Sequence, residues 1–243
     1  MILYNIIREI FWFVTHRNFL CMELVFFVDV DNTLLNNDQI KVEIKASLTR
    51  ILGKQEAEHF WQHHDSFREY AKLVDFPNIT RTYCAEINEK TCSVVVGNIF
   101  NGIEFSQSLY PQAFEAITHL KTLGSVFVFS EGDMIYQKRK IEKSGIAEVV
   151  DRVFLFEHKL DHLDEIIAQF QGDRFIFIDD RDDKLLEIKQ RISSALTIVV
   201  CQGHYAKEDC PANHSADFVV GSVAELRQFS RETFFPFKNQ SIN

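Results

Sequence analysis

Residues 25–37 read VFFVDVDNTLLNN, an unbroken apolar run that closes on two aspartates, Asp29 and Asp31, with Thr33 just behind them. A buried strand has no use for carboxylates at its tip, because an ionised group held away from water without a partner is costly or takes up a proton instead. The pair therefore marks a place where positive charge meets the end of a strand.

Two further segments share the form of that run: SVFVFS from Ser125 and RFIFIDD from Arg174. Continuous rather than alternating apolar stretches are expected where both faces of a sheet are covered, as in parallel sheets. Shorter strands are expected at 152–157, 195–201 and 216–220. Between them lie the helical patterns PQAFEAITHLKTLG, YQKRKIEKSG, LDEIIAQFQG and DDKLLEIKQRI, three of them closing on glycine as a helix C-cap does. Strand and helix in alternation give the α/β class, a doubly wound, Rossmann-like parallel sheet, in which ligands bind beyond the carboxyl ends of the strands.

From Leu35 to about Tyr110 the strand signal lapses, and the segment reads as two or three helices, with SVVVG at Ser93 the one candidate strand. The expected organisation is thus an α/β core of residues 23–34 and 111–243, a helical insertion at 35–110 that serves as a lid, and an N-terminal extension, 1–22. The extension is apolar but broken by Arg8, Glu9, His16 and Arg17, so it falls short of a membrane span. It reads either as an amphipathic helix or as sequence upstream of a start at Met22.

The net charge of −9, with no basic cluster, argues against nucleic-acid binding, and runs such as QKRK from Gln137 read as solvated helix faces. Twenty-three phenylalanines imply a core filled with aromatic rings. The five cysteines, Cys21, Cys84, Cys92, Cys201 and Cys210, include no CxxC pair. They are expected as unpaired thiols in a reducing, cytoplasmic setting, without a zinc site.

At the strand tips stand Asp29, Asp31 and Thr33, then Ser130, then Asp179 and Asp180 with Asp182 and Asp183 close behind. Lys159 lies 20 positions before Asp179. Carboxylates in excess at one point suit a hard divalent cation, and Mg²⁺ prefers such oxygen ligands. Phosphoryl transfer gives an ion, a lysine and a nucleophilic carboxylate work to do together.

DVDNT at Asp29, Ser130, Lys159 and IDDRDD at Ile178 resemble, in order and spacing, the four motifs of the haloacid dehalogenase (HAD) superfamily. The resemblance covers Met22 to about Phe229. It implies Asp29 as nucleophile, Asp31 as general acid and base, Ser130 as a phosphate hydrogen-bonding group and Lys159 as the balancing charge. Asp29, the Asp31 backbone carbonyl and Asp179 or Asp180 would hold Mg²⁺. The helical insertion matches the family's C1 cap.

Two features depart from the family's pattern. The register of the fourth motif leaves Asp179 and Asp180 both near the metal; Asp183, at the family's spacing from Asp179, ranks behind them, and Asp182 and Asp183 have capping of the next helix as their alternative role. Ser130 is followed by Glu131-Gly132-Asp133, which leaves helix capping as its alternative role. In the insertion, Arg68, Lys72 and Arg81 are candidates to read an anionic substrate, while His63-His64 and Lys138, Lys140 and Lys143 are expected at the surface. The implied activity is a phosphatase of a small phosphorylated metabolite. A phosphonatase, a phosphomutase or a binding protein without turnover stand as alternatives, whereas Asp31 speaks against a dehalogenase. The oligomeric state has no signature in the sequence.

Overall fold

The computed structural model describes residues 23–71, 74–88, 91–170, 174–206, 210 and 214–235, so the expected N-terminal extension lies outside the described residues. Six strands form one parallel sheet in the order β3-β2-β1-β4-β5-β6. They are β1 (Leu24–Val28), β2 (Gly124–Glu131), β3 (Arg152–Phe156), β4 (Arg174–Asp179), β5 (Leu196–Val200) and β6 (Phe218–Val220). The chain builds outward from β1 through β2 and β3, then returns to β1's other edge with β4. That reversal opens a crevice at the carboxyl ends of β1, β2 and β4, directly beyond Asp29.

Alternation along β1 divides the core. Leu24, Phe26 and Val28 face a mainly aliphatic layer that includes Ile117, Leu120 and Ile141. Val25 and Phe27 face the other side, where Phe27 lies within 5.0–6.3 Å of the rings of Phe127, Phe129, Phe154, Phe170, Phe175 and Phe177. The phenylalanine excess is concentrated in this second layer, where large rings bury much apolar area per residue. Gly124 both closes the preceding helix α5 (Ala113–Leu123) and opens β2; a Cβ there would stand 2.0 Å from the Leu24 carbonyl oxygen.

Between β1 and α5 lie four helices: α1 (Asn37–Leu52), α2 (Lys54–Ala71), α3 (Phe76–Glu86) and α4 (Cys92–Asn101). They share their own apolar cluster, built on Ile40, Ile44, Phe60, Phe76, Tyr83 and Phe100, and Tyr136 of α6 (Met134–Lys143) packs into it. The SVVVG segment is part of α4, not a strand. Its buried side chains, Cys92, Val96, Ile99 and Phe100, follow helical spacing once the window extends past Gly97.

The cysteines also depart from expectation. Cys84 and Cys92 form a disulfide with Cα atoms 5.5 Å apart, and Cys201 and Cys210 a second at 5.7 Å. Each pair is brought together by a chain reversal within 8 or 9 residues, which spacing alone does not reveal. The remaining core helices are the short α7 (Ile146–Val149) and α8 (Leu163–Ile167), and α9 (Asp182–Arg191). Gly172, read as a helix cap, lies outside the described residues.

Because Phe27 joins so many rings, Phe27→Ala should leave a cavity that its neighbours cannot fill. The expected loss is about 3–5 kcal/mol of unfolding free energy, read from the urea midpoint.

Candidate active site

Sheet pairing continues one residue past β1. The Asp29 N–H donates to the Ile178 carbonyl at 2.9 Å, so Asp29 stands beside the end of β4 and its Asp179. The chain then turns sharply: Leu34 and Leu35 both donate to the Val30 carbonyl, and Asn32 takes a left-handed conformation (φ 58°), which asparagine tolerates better than most residues. This turn lifts Asp31 to the mouth of the crevice while Asp29 stays buried at its floor.

Lys159, in the turn after β3, reaches back beneath the strand tips. Its Nζ donates to Asp29 Oδ1 at 2.7 Å, to Asp179 Oδ2 at 2.6 Å and to the Phe129 carbonyl at 3.2 Å. Burial works to lower the pKa of this ammonium, but the charges of Asp179 and Asp29 outweigh it and raise the pKa. Asp180 lies next to this trio, and carboxylate oxygens of Asp29, Asp179 and Asp180 all fall within 4.8 Å of one another. Burial pushes the Asp29 carboxyl up to about 7 against the pull of Lys159, with Asp179 adding to the rise. For Asp180, burial and then the charges of Asp179 and Asp29 push it up to about 10.

One ammonium cannot balance all three buried carboxylates when they are ionised, so the site takes up either protons or a cation, and the donors are all hard oxygens. Asp29, Asp179 and Asp180 therefore fit a divalent cation of the Mg²⁺ type. Asp182 and Asp183 face elsewhere. Asp182 accepts from the N–H groups of Ser215 and Ala216 and from the Ser215 hydroxyl, and Asp183 pairs with Arg181.

Ser130, at the end of β2, is buried and does not cap the next helix, because Asp133 does so by accepting from Ile135 and Tyr136 N–H groups. Its Oγ accepts from Gln137 Nε2 at 3.0 Å, which leaves the hydroxyl proton available to a further acceptor.

Lys140 corrects the sequence reading. Expected at the surface, it is 2% exposed, and its Nζ contacts both oxygens of Asp31 at 2.6 and 2.7 Å and Asn37 Oδ1 at 3.0 Å. Gln137, from the same QKRK run, reaches Asp31 at 3.3 Å. The two lie three residues apart on one face of α6, and that spacing, on the helix following Ser130, was the available signal.

Of the insertion's candidate cations, Arg68 lines the crevice together with Lys41, which the sequence reading did not single out. Arg81 instead donates to Asn78 at the surface, and Lys72 lies outside the described residues. Phe76 and Tyr136 give the crevice an apolar wall. The His63-His64 pair is split: buried His64 stacks on Trp61 and Phe76, while His63 faces α3.

A family model for haloacid dehalogenase-like hydrolases matches residues 24–189, from the start of β1 into α9. The chain belongs to that family. Among solved structures, a haloacid dehalogenase-like hydrolase from Burkholderia xenovorans LB400 is 27% identical, with a TM-score of 0.79 over 86% of this chain and 99% of its own. The HAD-hydrolase YfnB of Bacillus subtilis, solved bound to magnesium, is 15% identical with a TM-score of 0.57 over 85% and 98%. The L-2-haloacid dehalogenase of Xanthobacter autotrophicus is 14% identical with a TM-score of 0.54 over 85% and 97%. The last two likenesses establish a shared fold. No curated protein matches the chain. The HAD-like hydrolase assignment makes the chain an enzyme, and among its described residues no helix is long and apolar enough to cross a membrane.

The raised Asp29 pKa fixes the sign of a pH effect. Without metal, the folded state holds a proton that the unfolded chain releases near 3.8, so this group's contribution to stability falls as pH rises from about 4 to about 7. A divalent cation needs the deprotonated site. Added Mg²⁺ should therefore raise the melting temperature more at about pH 8 than at about pH 5.5, a difference that scanning calorimetry reads and that Asp180→Asn should diminish.

Proposed function

We propose that this hydrolase is a Mg²⁺-dependent phosphatase of a small phosphorylated metabolite, acting through an aspartyl-phosphate at Asp29. The observation that carries the reading is the joint presence of a three-carboxylate cation site around Asp29 and a separately held acid, Asp31, two residues further on. An alkoxide leaving from phosphorus needs a proton, and Asp31 is placed to supply it. A halide leaving from carbon needs none, so a dehalogenase would have no use for this acid.

In the proposed first step, an Asp29 oxygen attacks phosphorus and the ester P–O bond breaks, its electron pair leaving on an oxygen that takes the Asp31 proton. In the second, Asp31 removes a proton from water, whose oxygen attacks the same phosphorus. The bond from phosphorus to Asp29 then breaks, restoring the carboxylate and releasing inorganic phosphate. Ser130 Oγ and Lys159 Nζ hold the phosphoryl oxygens, and Lys159 offsets the charge gathering around them. Mg²⁺ held by Asp29, Asp179 and Asp180, with the Asp31 backbone carbonyl, would supply further neutralisation of the transferring group.

The four helices after β1 act in this reading as a cap, presenting Lys41 and Arg68 to the substrate and excluding bulk water during the first step. Such cations favour an anionic metabolite.

The deciding experiment is phosphate release from a panel of phosphomonoesters, run beside halide release from 2-chloropropionate. Phosphate release that requires Mg²⁺ and vanishes in Asp29→Asn and Asp31→Asn is the expected result; halide release without phosphate release would overturn it. On the best ester, Lys140→Met should lower kcat on the order of 10²-fold with little change in KM, because it disorients Asp31 without touching the phosphate cradle.

A further inference from the structure

Outside the crevice lining, α2 and α3 bring together a second set of metal-ligating groups. His59 and His63 are four residues apart and so project from the same side of α2, their rings 5.1 Å apart. Glu86, at the end of α3, lies opposite. Its Oε1 is 3.1 Å from His59 Nε2, and its Oε2 is 3.0 Å from His63 Nε2. All three residues present a ligand atom within 4.8 Å of the others.

These separations have a meaning beyond hydrogen bonding. A tetrahedral zinc ion with bonds of about 2.0–2.1 Å to nitrogen and oxygen places its ligand atoms about 3.3 Å apart along each edge. The two nitrogen-to-oxygen separations, each made to a different Glu86 oxygen, are within a few tenths of an ångström of that edge, so the carboxylate spans the two imidazoles and its oxygens share one corner. The surroundings are also those of a metal-bound histidine. His59 turns its other nitrogen, Nδ1, toward Glu56 Oε2 at 3.6 Å, and Glu56 is itself held by the Tyr83 hydroxyl at 2.9 Å. The His59–Glu56 approach is an ion-pair distance and not a hydrogen bond, but a carboxylate held behind the imidazole by the Tyr83 hydroxyl is placed to close on it as the outer shell that orients a ligating ring and raises its basicity.

We propose that His59, His63 and Glu86 form a site for a first-row transition metal, Zn²⁺ in the first instance, that clasps α2 to α3. Imidazole nitrogens with one carboxylate select such an ion over Mg²⁺, which the all-oxygen site at the strand tips prefers. The fourth position is open to solvent, since the three ligands are only partly buried. The two sites thus differ in metal preference as well as in place.

The test is a zinc titration of the full chain against a chromogenic chelator, with Mg²⁺ in excess to fill the strand-tip site. One equivalent of Zn²⁺ should bind the wild-type protein. His59→Ala/His63→Ala should weaken binding at least tenfold, and Glu56→Gln, which leaves all three ligands in place, should weaken it by about 10-fold or more. Zinc binding unchanged in the double variant, or no binding by wild type, would overturn the proposal. X-ray absorption at the zinc edge of the wild-type complex decides the matter even if the double variant fails to fold. Two imidazole ligands are expected, and an all-oxygen or sulfur-containing shell would overturn it.

Discussion

The Lys159 ammonium, buried between Asp29 and Asp179, is the interaction on which the arrangement at the strand tips depends. Three carboxylates gathered within 4.8 Å repel one another, and the low-dielectric crevice strengthens that repulsion. The lysine offsets part of it and fixes where the remainder is felt. Asp29 keeps one oxygen engaged with the ammonium, while Asp180 takes the largest upward shift in pKa. Removing one partner from a buried set of this kind typically costs about 3–5 kcal/mol, because the others are left uncompensated. The same residues that hold the site together are those that the proposed chemistry uses, so stability and reactivity are set by one balance of charge.

Much of this balance can be read from the chain alone, because it rests on local pattern. The unbroken apolar runs ending at Asp29, Ser130 and Asp179 specify buried parallel strands, and parallel strands necessarily bring their carboxyl ends together. Lys159 is legible through the family resemblance, which a lysine following a strand and preceding the fourth motif by 20 residues matches. Lys140 is not. Its meeting with Asp31 spans 109 residues, and a basic run on a helix looks the same whether one of its members turns inward or all face water. The two disulfides and the helical nature of SVVVG were hidden for a related reason. Chain reversals emerge only when neighbouring elements are in place, and the period of a short apolar run only in a window longer than the run itself.

The helical insertion shows how such long-range contacts extend the strand-tip site. Its crevice wall carries Lys41, Arg68 and Phe76, none of which belongs to a motif, and outside the crevice it carries His59 and His63 facing Glu86. The core supplies the groups assigned to the proposed chemistry from strand ends, whose positions the sheet constrains tightly. The insertion supplies the surroundings from helix faces, which are free to vary without disturbing the sheet.

α6 belongs to both parts. Tyr136 is embedded in the insertion's apolar cluster, while Gln137 and Lys140, one and four residues later, grip Asp31. Under the proposed mechanism, a compound that seats poorly under the insertion would disturb Tyr136 and so shift the arm that aims Asp31. Discrimination between good and poor substrates would then be expressed in turnover more than in occupancy, an ill-fitting molecule being admitted, held and released unchanged.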